Sequence, residues 1–244
     1  MTTSKHFVIG VLALQGAFRE HLIIFQNVLK QYDEYSKYAL SFIEVKTKEQ
    51  LESCNSLVIP GGESTSISYI AERTGLLEPL LEFVSDDSKS VWGTCAGLIF
   101  LARQLKGGKK NQHILGGLDI EVKRNAFGRQ LNSFETHLDF SSFIPGVKEF
   151  PTVFIRAPVI SKILNDTEDE PVDDEPIIIS PNTYRNPSPV DVLYTLHDYN
   201  QTDLIVAVRQ GNKLGTSFHP ELGDDVRFHK WFIDEFVLLS ETST

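Results

Sequence analysis

Ser90-Val-Trp-Gly-Thr-Cys-Ala-Gly-Leu-Ile-Phe-Leu-Ala-Arg-Gln-Leu105 opens as a short apolar strand, passes through a turn of small residues around Cys95, and continues into the helix-forming run Leu98 to Leu105. A strand, a sharp turn of small residues and an apolar helix make the unit that holds an exposed nucleophile at the edge of an α/β sheet. Two more such units lie upstream. Phe7-Val-Ile-Gly-Val-Leu-Ala-Leu14 is apolar on both faces, as in a central parallel strand, and after Gln15-Gly16 the residues Phe18, Leu22, Phe25 and Leu29 recur at helical spacing. Leu40 to Val45 reads as a strand. Leu57 to Ile59 reads as another, entering Pro60-Gly-Gly62 before a helix from Thr65 to Arg73. This alternation predicts an α/β sheet.

Downstream of Asp119 the pattern changes to short strands without helices between them. They are Ile120–Lys123, Phe134–Phe140, Val153–Arg156, Val192–Leu196, Leu204–Arg209 and Leu214–Phe218, an antiparallel or mixed extension of the sheet. Phe228 to Leu239 closes as an amphipathic helix with Phe232, Phe236 and Leu239 on one side.

The composition narrows the function. A chain of 244 residues with 41% hydrophobic and 23% charged residues is one globular domain, 1–244, by default. A formal net charge of −10 argues against nucleic acid as a partner, because phosphate tracking depends on clustered Lys and Arg. The run Phe7–Leu14 is too short for a membrane span, which takes roughly 20 apolar residues. Two cysteines, Cys54 and Cys95, make no disulfide framework and fit a reducing, cytoplasmic setting. Asn165 to Pro176 holds seven acidic residues and no Lys or Arg, and reads as a solvated surface insertion rather than a docking tail.

Three motifs carry chemistry. In Gly93-Thr-Cys95-Ala-Gly97 the nucleophile would stand at a helix N-terminus, where partial positive charge favours the thiolate. Taken alone, Cys95 also fits a buried structural cysteine. Phe218-His219-Pro220-Glu221 follows a strand and supplies a base, His219, with Glu221 to orient it; the six other histidines, among them His6 and His113, have no such context. Pro60-Gly61-Gly62-Glu63-Ser64 offers backbone donors for an oxyanion, with the amides of Gly62 and Ala96 as the pair. Standing alone, that stretch would equally be a strand-to-helix turn capped by Ser64.

Pro60-Gly-Gly-Glu-Ser-Thr65, Gly93-Thr-Cys-Ala-Gly97 and His219-Pro-Glu221, in that order, resemble the class I (triad) glutamine amidotransferases. Ala13-Leu-Gln-Gly16 with Arg19-Glu-His21, Arg124-Asn-Ala-Phe-Gly-Arg-Gln130, Ser133-Phe-Glu135 and Phe154-Ile-Arg-Ala-Pro158 resemble, within them, the glutaminase subunits of pyridoxal 5'-phosphate synthase. The likeness spans nearly the whole chain. It implies a flavodoxin-like three-layer sandwich with a mostly parallel central sheet and an antiparallel extension. It also implies Cys95 as nucleophile, His219 as base and Glu221 as its orienter. L-glutamine would contact Gly62, Glu63, Ser64, Arg124, Ile155 and Arg156, with Gln15 near the partner interface and oxyanion site and Arg129 as a further contact. No metal or organic cofactor is implied. The partner is a separate synthase subunit in a hetero-oligomeric complex, without which the glutaminase is largely dormant.

Three stretches depart from the compact pattern: the Lys-containing loop Gly107–Gln112, the acidic segment, and Ser180–Val190 with three of the eleven prolines. All three lie outside the catalytic motifs. Two rival functions are a glutaminase serving another synthase, which should lack the Arg124–Gln130 and Ile155–Pro158 signatures, and a non-catalytic scaffold, which should have lost a triad member. A redox sensor at Cys95 is a third.

Overall fold

The computed structural model describes residues 6–124, 133–164, 175–199 and 202–239. From the N-terminus, β1 (His6–Leu12), α1 (Phe18–Gln31), β2 (Ala39–Val45), α2 (Lys48–Glu52), β3 (Ser56–Ile59), α3 (Ser64–Arg73) and α4 (Leu77–Val84) lead into β4 (Ser90–Thr94) and α5 (Ala96–Leu101). There follow β5 (Ala102–Lys106), β6 (Leu118–Lys123), β7 (Ser133–Leu138), β8 (Phe150–Ile155), β9 (Val159–Ile163) and β10 (Ile177–Ile179). The chain then runs through β11 (Val190–Tyr199), β12 (Thr202–Gln210), β13 (Lys213–Thr216) and α6 (Arg227–Phe232), which passes into a π-helical segment, Ile233–Leu238.

The large sheet runs β10-β5-β6-β9-β12-β13-β4-β3-β1-β2, with β11 paired to β12. Strands β2, β1, β3, β4 and β13 are mutually parallel, whereas β12 is antiparallel to β13 and β9 is antiparallel to both β12 and β6. This is the α/β fold with a parallel centre and an antiparallel extension that the sequence implies. Strands β7 and β8 form a separate antiparallel pair.

Side-chain alternation along the central strands divides the core between the two faces of the sheet. Val11, Val58 and Trp92 pack with Phe25 of α1, Phe228 and Phe232 of α6, and Phe150 and Phe154 of β8. Leu12, Leu57, Ile59 and Val91 pack with Leu51, Ile67, Leu80 and Phe100 from α2 to α5. Helices on both faces explain why β3, β4 and β13 are buried along their whole length. By contrast, β6 alternates Leu118, Ile120 and Val122 inward with Asp119, Glu121 and Lys123 half-exposed, as expected where one face meets water.

Three sequence expectations need correction. The helix from Leu98 ends at Leu101, because Ala102 turns extended and the next residues pair in parallel with β6. Ala, Arg, Gln and Leu are among the better helix formers, but propensity is a weak prior that sheet pairing outweighs. The fork of Arg103 fixes this register: it pairs with Asp119 and donates to the carbonyls of Gly116 (2.7 Å), Tyr184 (2.7 Å) and Asn182 (3.0 Å). The closing helix widens into a π-helix after Phe232, so Phe232 and Phe236 still stack while Leu239 is exposed. On α1 the deeply buried face is His21, Ile24, Phe25 and Val28, with Phe18, Leu22 and Leu29 only partly covered. Helices α2 and α4 and strands β5, β9 and β10 are additions to the sequence reading. Most of the acidic segment, residues 165–174, lies outside the described residues.

Phe228 is fully buried, its ring centroid 5.3 Å from those of Trp92 and Trp231 and 5.5 Å from that of Phe218. Truncating it leaves a cavity beneath the parallel strands, and Phe228→Ala is expected to lower stability by about 3–5 kcal/mol, read by equilibrium urea unfolding.

Candidate active site

Cys95 sits between β4 and α5 with φ 49° and ψ −104°, a conformation that side chains other than glycine rarely adopt. Its own amide donates to the Thr216 carbonyl of β13 at 2.8 Å, and its carbonyl accepts from Ile99 at 3.2 Å. The turn closes because Gly97 lies against β3: a Cβ there would stand 1.9 Å from the Ile59 carbonyl oxygen. The small residues flanking the cysteine thus have a steric cause.

Strand β13 runs beside β4 and delivers His219 to the same edge. The His219 amide donates to the Val153 carbonyl of β8 at 2.9 Å. Its imidazole and Cys95 line one cleft, and Nδ1 lies 2.8 Å from Glu221 Oε1. Gly61 also makes room for the imidazole, since a Cβ there would fall 2.2 Å from His219 Cε1. Burial would push the His219 imidazole down, but the hydrogen bonds and charges of Cys95 and Glu221 outweigh it and raise it to about 10. Glu221 is almost wholly enclosed. Burial would raise its carboxyl, and the facing imidazoles of His21 and His219 overcome this and hold it below the usual range.

A cleft of about 410 Å³ opens over this group. Gly62 and Ala96 both line it, and Ala96 begins α5, where an amide has no acceptor within the helix. Gln15, Glu63, Ser64, Arg124, Ile155 and Arg156 line it too. Arg156 has φ 42°, and Cys95 Sγ lies 3.8 Å from the Ile155 carbonyl oxygen. Glu221 stays behind His219, out of the cleft. Arg129 lies outside the described residues.

Several contacts differ from the sequence reading. Glu63, rather than Ser64, caps α3, accepting from Thr65 at 3.2 Å and from the Ser66 amide at 2.7 Å. Burial would raise its carboxyl, but donors from Ser66 and Thr65 hold it down at about 2. Its Oε1 also pairs with Arg124 Nη2 at 3.3 Å, so this carboxylate orients the arginine. Gln15 Oε1 accepts from the Glu63 amide at 2.8 Å, tying the β1–α1 turn to the Gly-Gly loop. The Gly107–Gln112 loop is not remote from the site: Gln112 Nε2 donates to the buried Ser64 hydroxyl at 3.2 Å. Nor do all the other histidines lack context. His21 and His229 are fully buried behind Glu221. The signal that could have found His21 was its place among Ile24, Phe25 and Val28, a polar group on the apolar stripe of α1.

Among the described residues, no group of three or more His, Cys, Asp or Glu is arranged to hold a metal. Likewise, no helix among them is long and apolar enough to cross a membrane.

The family model described as the SNO glutamine amidotransferase family matches residues 11–186 and 177–238. The chain is 50% identical to the pyridoxal 5'-phosphate synthase subunit SNO1 of Saccharomyces cerevisiae, over 94% of this chain and 93% of that one. It is 40% identical to the pyridoxal 5'-phosphate synthase subunit PdxT of Dehalococcoides mccartyi, covering 92% and 95% of the two chains. A crystal structure of a glutamine amidotransferase aligns over 93% of this chain and 97% of its own with a TM-score of 0.69 and 38% identity.

Because Cys95 is the leading contributor to the raised value of His219, Cys95→Ala should bring the imidazole midpoint down from about 10. Titration of His219 by NMR in both proteins checks this; an unchanged midpoint would mean that the two side chains are not coupled.

Proposed function

The chain belongs to the SNO glutamine amidotransferase family, and from that premise we propose that it hydrolyses L-glutamine to L-glutamate and ammonia through a thioester on Cys95. The ammonia is handed to a pyridoxal 5'-phosphate synthase subunit in a hetero-oligomeric complex. The observation that carries this reading is that Cys95, at its strained turn, shares one cleft with His219, whose Nδ1 faces a buried carboxylate at 2.8 Å.

The chemistry follows from those positions. His219, as general base, takes the proton of Cys95 and leaves the thiolate as nucleophile. The thiolate attacks the side-chain amide carbon of glutamine, and the oxyanion is met by the amides of Gly62 and Ala96. As the C–N bond breaks, His219 gives its proton to the departing ammonia. Now neutral, it takes a proton from water, whose hydroxide attacks the thioester; the thiolate and glutamate separate. Glu221 keeps Nδ1–H in place throughout. No step requires a metal or an organic cofactor.

Arg124, oriented by Glu63, is the group we assign to the α-carboxylate of glutamine, with Ser64, Ile155 and Arg156 lining the rest of the substrate arm. The whole chain, 1–244, is read as one catalytic domain. We assign the reaction to the cytoplasm, on the support of the two free, buried cysteines.

The test is glutamate release by the purified chain, alone and with the synthase subunit. The expected result is partner-dependent release that disappears in Cys95→Ala. A chain fully active and indifferent to the synthase would overturn the pathway, and a folded, synthase-binding chain with no activity would overturn the enzyme in favour of a scaffold. Arg124→Ala should raise KM for glutamine roughly tenfold or more by removing a charge-assisted contact, with a smaller effect on kcat.

A further inference from the structure

Behind the triad, and away from the cleft, lies a second pair of imidazoles. His21 from α1 and His229 from α6 are both completely buried, with His21 Nδ1 2.9 Å from His229 Nε2. His21 Nε2 stands 3.4 Å from Glu221 Oε2 and 3.3 Å from the Thr94 hydroxyl, one residue before Cys95. Aromatic rings close around them: Trp92 is 5.3 Å from His21 and 5.1 Å from His229, and Phe25 is 4.8 Å from His229. Such a pocket would hold apolar side chains at lower cost, since burying imidazoles sacrifices their hydration. The return on that cost lies at Glu221.

We propose that His21 is a positioning residue for the glutaminase reaction, a neutral Nε2–H tautomer that donates to Glu221 Oε2 and so fixes the carboxylate that orients His219. This rests on the function proposed above. The proton positions follow from the groups that face one another. An ionised Glu221 can only accept, so both nitrogens facing it must carry hydrogen: His219 Nδ1 toward Oε1 and His21 Nε2 toward Oε2. A neutral His21 then has a lone pair at Nδ1, and His229 must donate from Nε2. That leaves His229 Nδ1 as a bare acceptor, and it is the buried atom of that ring without a hydrogen-bond partner; Glu221 Oε2 is likewise buried without one, and the ring nitrogen of His21, 3.4 Å away, is the donor that faces it. Had the tautomers run the other way, His229 would bury an unpaired N–H, and His21 would turn a lone pair on a carboxylate.

Burial, opposed only in part by Glu221, pushes His21 down to about 3, in keeping with a neutral ring. The titratable groups facing it are Glu221, His229 and His219. Oε1 of Glu221 is thereby bonded to His219, and Oε2, buried without a hydrogen bond of its own, is faced by His21 Nε2 of α1 at 3.4 Å. The alignment of His219 toward Cys95 depends on both.

The full chain, mixed with the synthase subunit, is assayed for glutamate release across pH as wild type, His21→Asn and His21→Gln. The amide nitrogen of Gln reaches the position of Nε2, whereas that of Asn reaches only Nδ1. His21→Asn is expected to lower kcat by about tenfold or more, the usual effect of losing such an outer hydrogen bond, with KM for glutamine little changed. Its acid limb should move to higher pH, because a carboxylate that loses a donor is easier to protonate. His21→Gln should recover most of the rate. An Asn variant with the wild-type kcat and acid limb, or a folded Gln variant as slow as the Asn one, overturns the proposal. A direct reading needs no variant: ¹⁵N NMR of histidine-labelled wild type should show His21 as the neutral Nε2–H form, and an Nδ1–H or doubly protonated ring overturns it. If the wild type with its synthase releases no glutamate, the proposed function fails, while the NMR result still decides the hydrogen-bond arrangement.

Discussion

Everything at the site depends on one strained turn. Cys95 occupies a backbone conformation that costs on the order of 1–3 kcal/mol, and it is kept there by neighbours on three sides. Its amide is bonded to β13, Gly97 is pressed against the carbonyl of Ile59, and α5 starts at the next residue. Relaxing the turn would require separating β3, β4 and β13 at their carboxyl ends, where the parallel centre of the sheet is fully buried. The strain is therefore sustained by the packing of both cores, and the sulfur is held facing the cleft.

Electrostatics sets the second layer. A carboxylate as enclosed as Glu221 must be paired or it would neutralise. It is met by imidazoles from two separate parts of the chain, and each of its neighbours is fixed in turn: His219 by the backbone of β8, His21 by the ring of His229. The buried carboxylate thus faces His219 directly, as the buried Arg103 faces Asp119 elsewhere in the sheet. At the mouth of the cleft the arrangement is more exposed. Glu63 is at once the cap of α3 and the partner of Arg124, so the start of that helix and the orientation of the arginine are coupled through one side chain. Gln15 joins the turn after β1 to the same loop. A displacement of any of these segments would be felt at the mouth of the cleft.

Much of this was legible in the chain itself. The apolar runs of β1, β3 and β4, each followed by small residues and a helical pattern, specified a parallel α/β sheet, because a strand covered on both faces has no polar side to show. The Cys-Ala-Gly and His-Pro-Glu motifs marked Cys95, His219 and Glu221, since their local geometry is demanding enough to restrict the residues allowed. Other features were decided by partners distant in sequence. Ala102 to Lys106 could continue a helix, and pairing with β6 and β10 and the anchoring of Arg103 on Asp119 make it a strand. The last helix widens into a π-turn where Phe232 and Phe236 pack.

The division is clearest among the histidines. His219 announced itself through the residues beside it, because its orienter is two positions away and its strand ends there. His21 and His229 lie 208 positions apart and meet only when α1 and α6 pack on the same face of the sheet. The sequence by itself determined the fold class and marked Cys95, His219 and Glu221 as candidates, through local spacing, periodicity and family resemblance. Only the tertiary structure decided what surrounds Glu221 and which carboxylate holds Arg124, for a buried polar network is defined by distances across the core, and these leave no period along the chain.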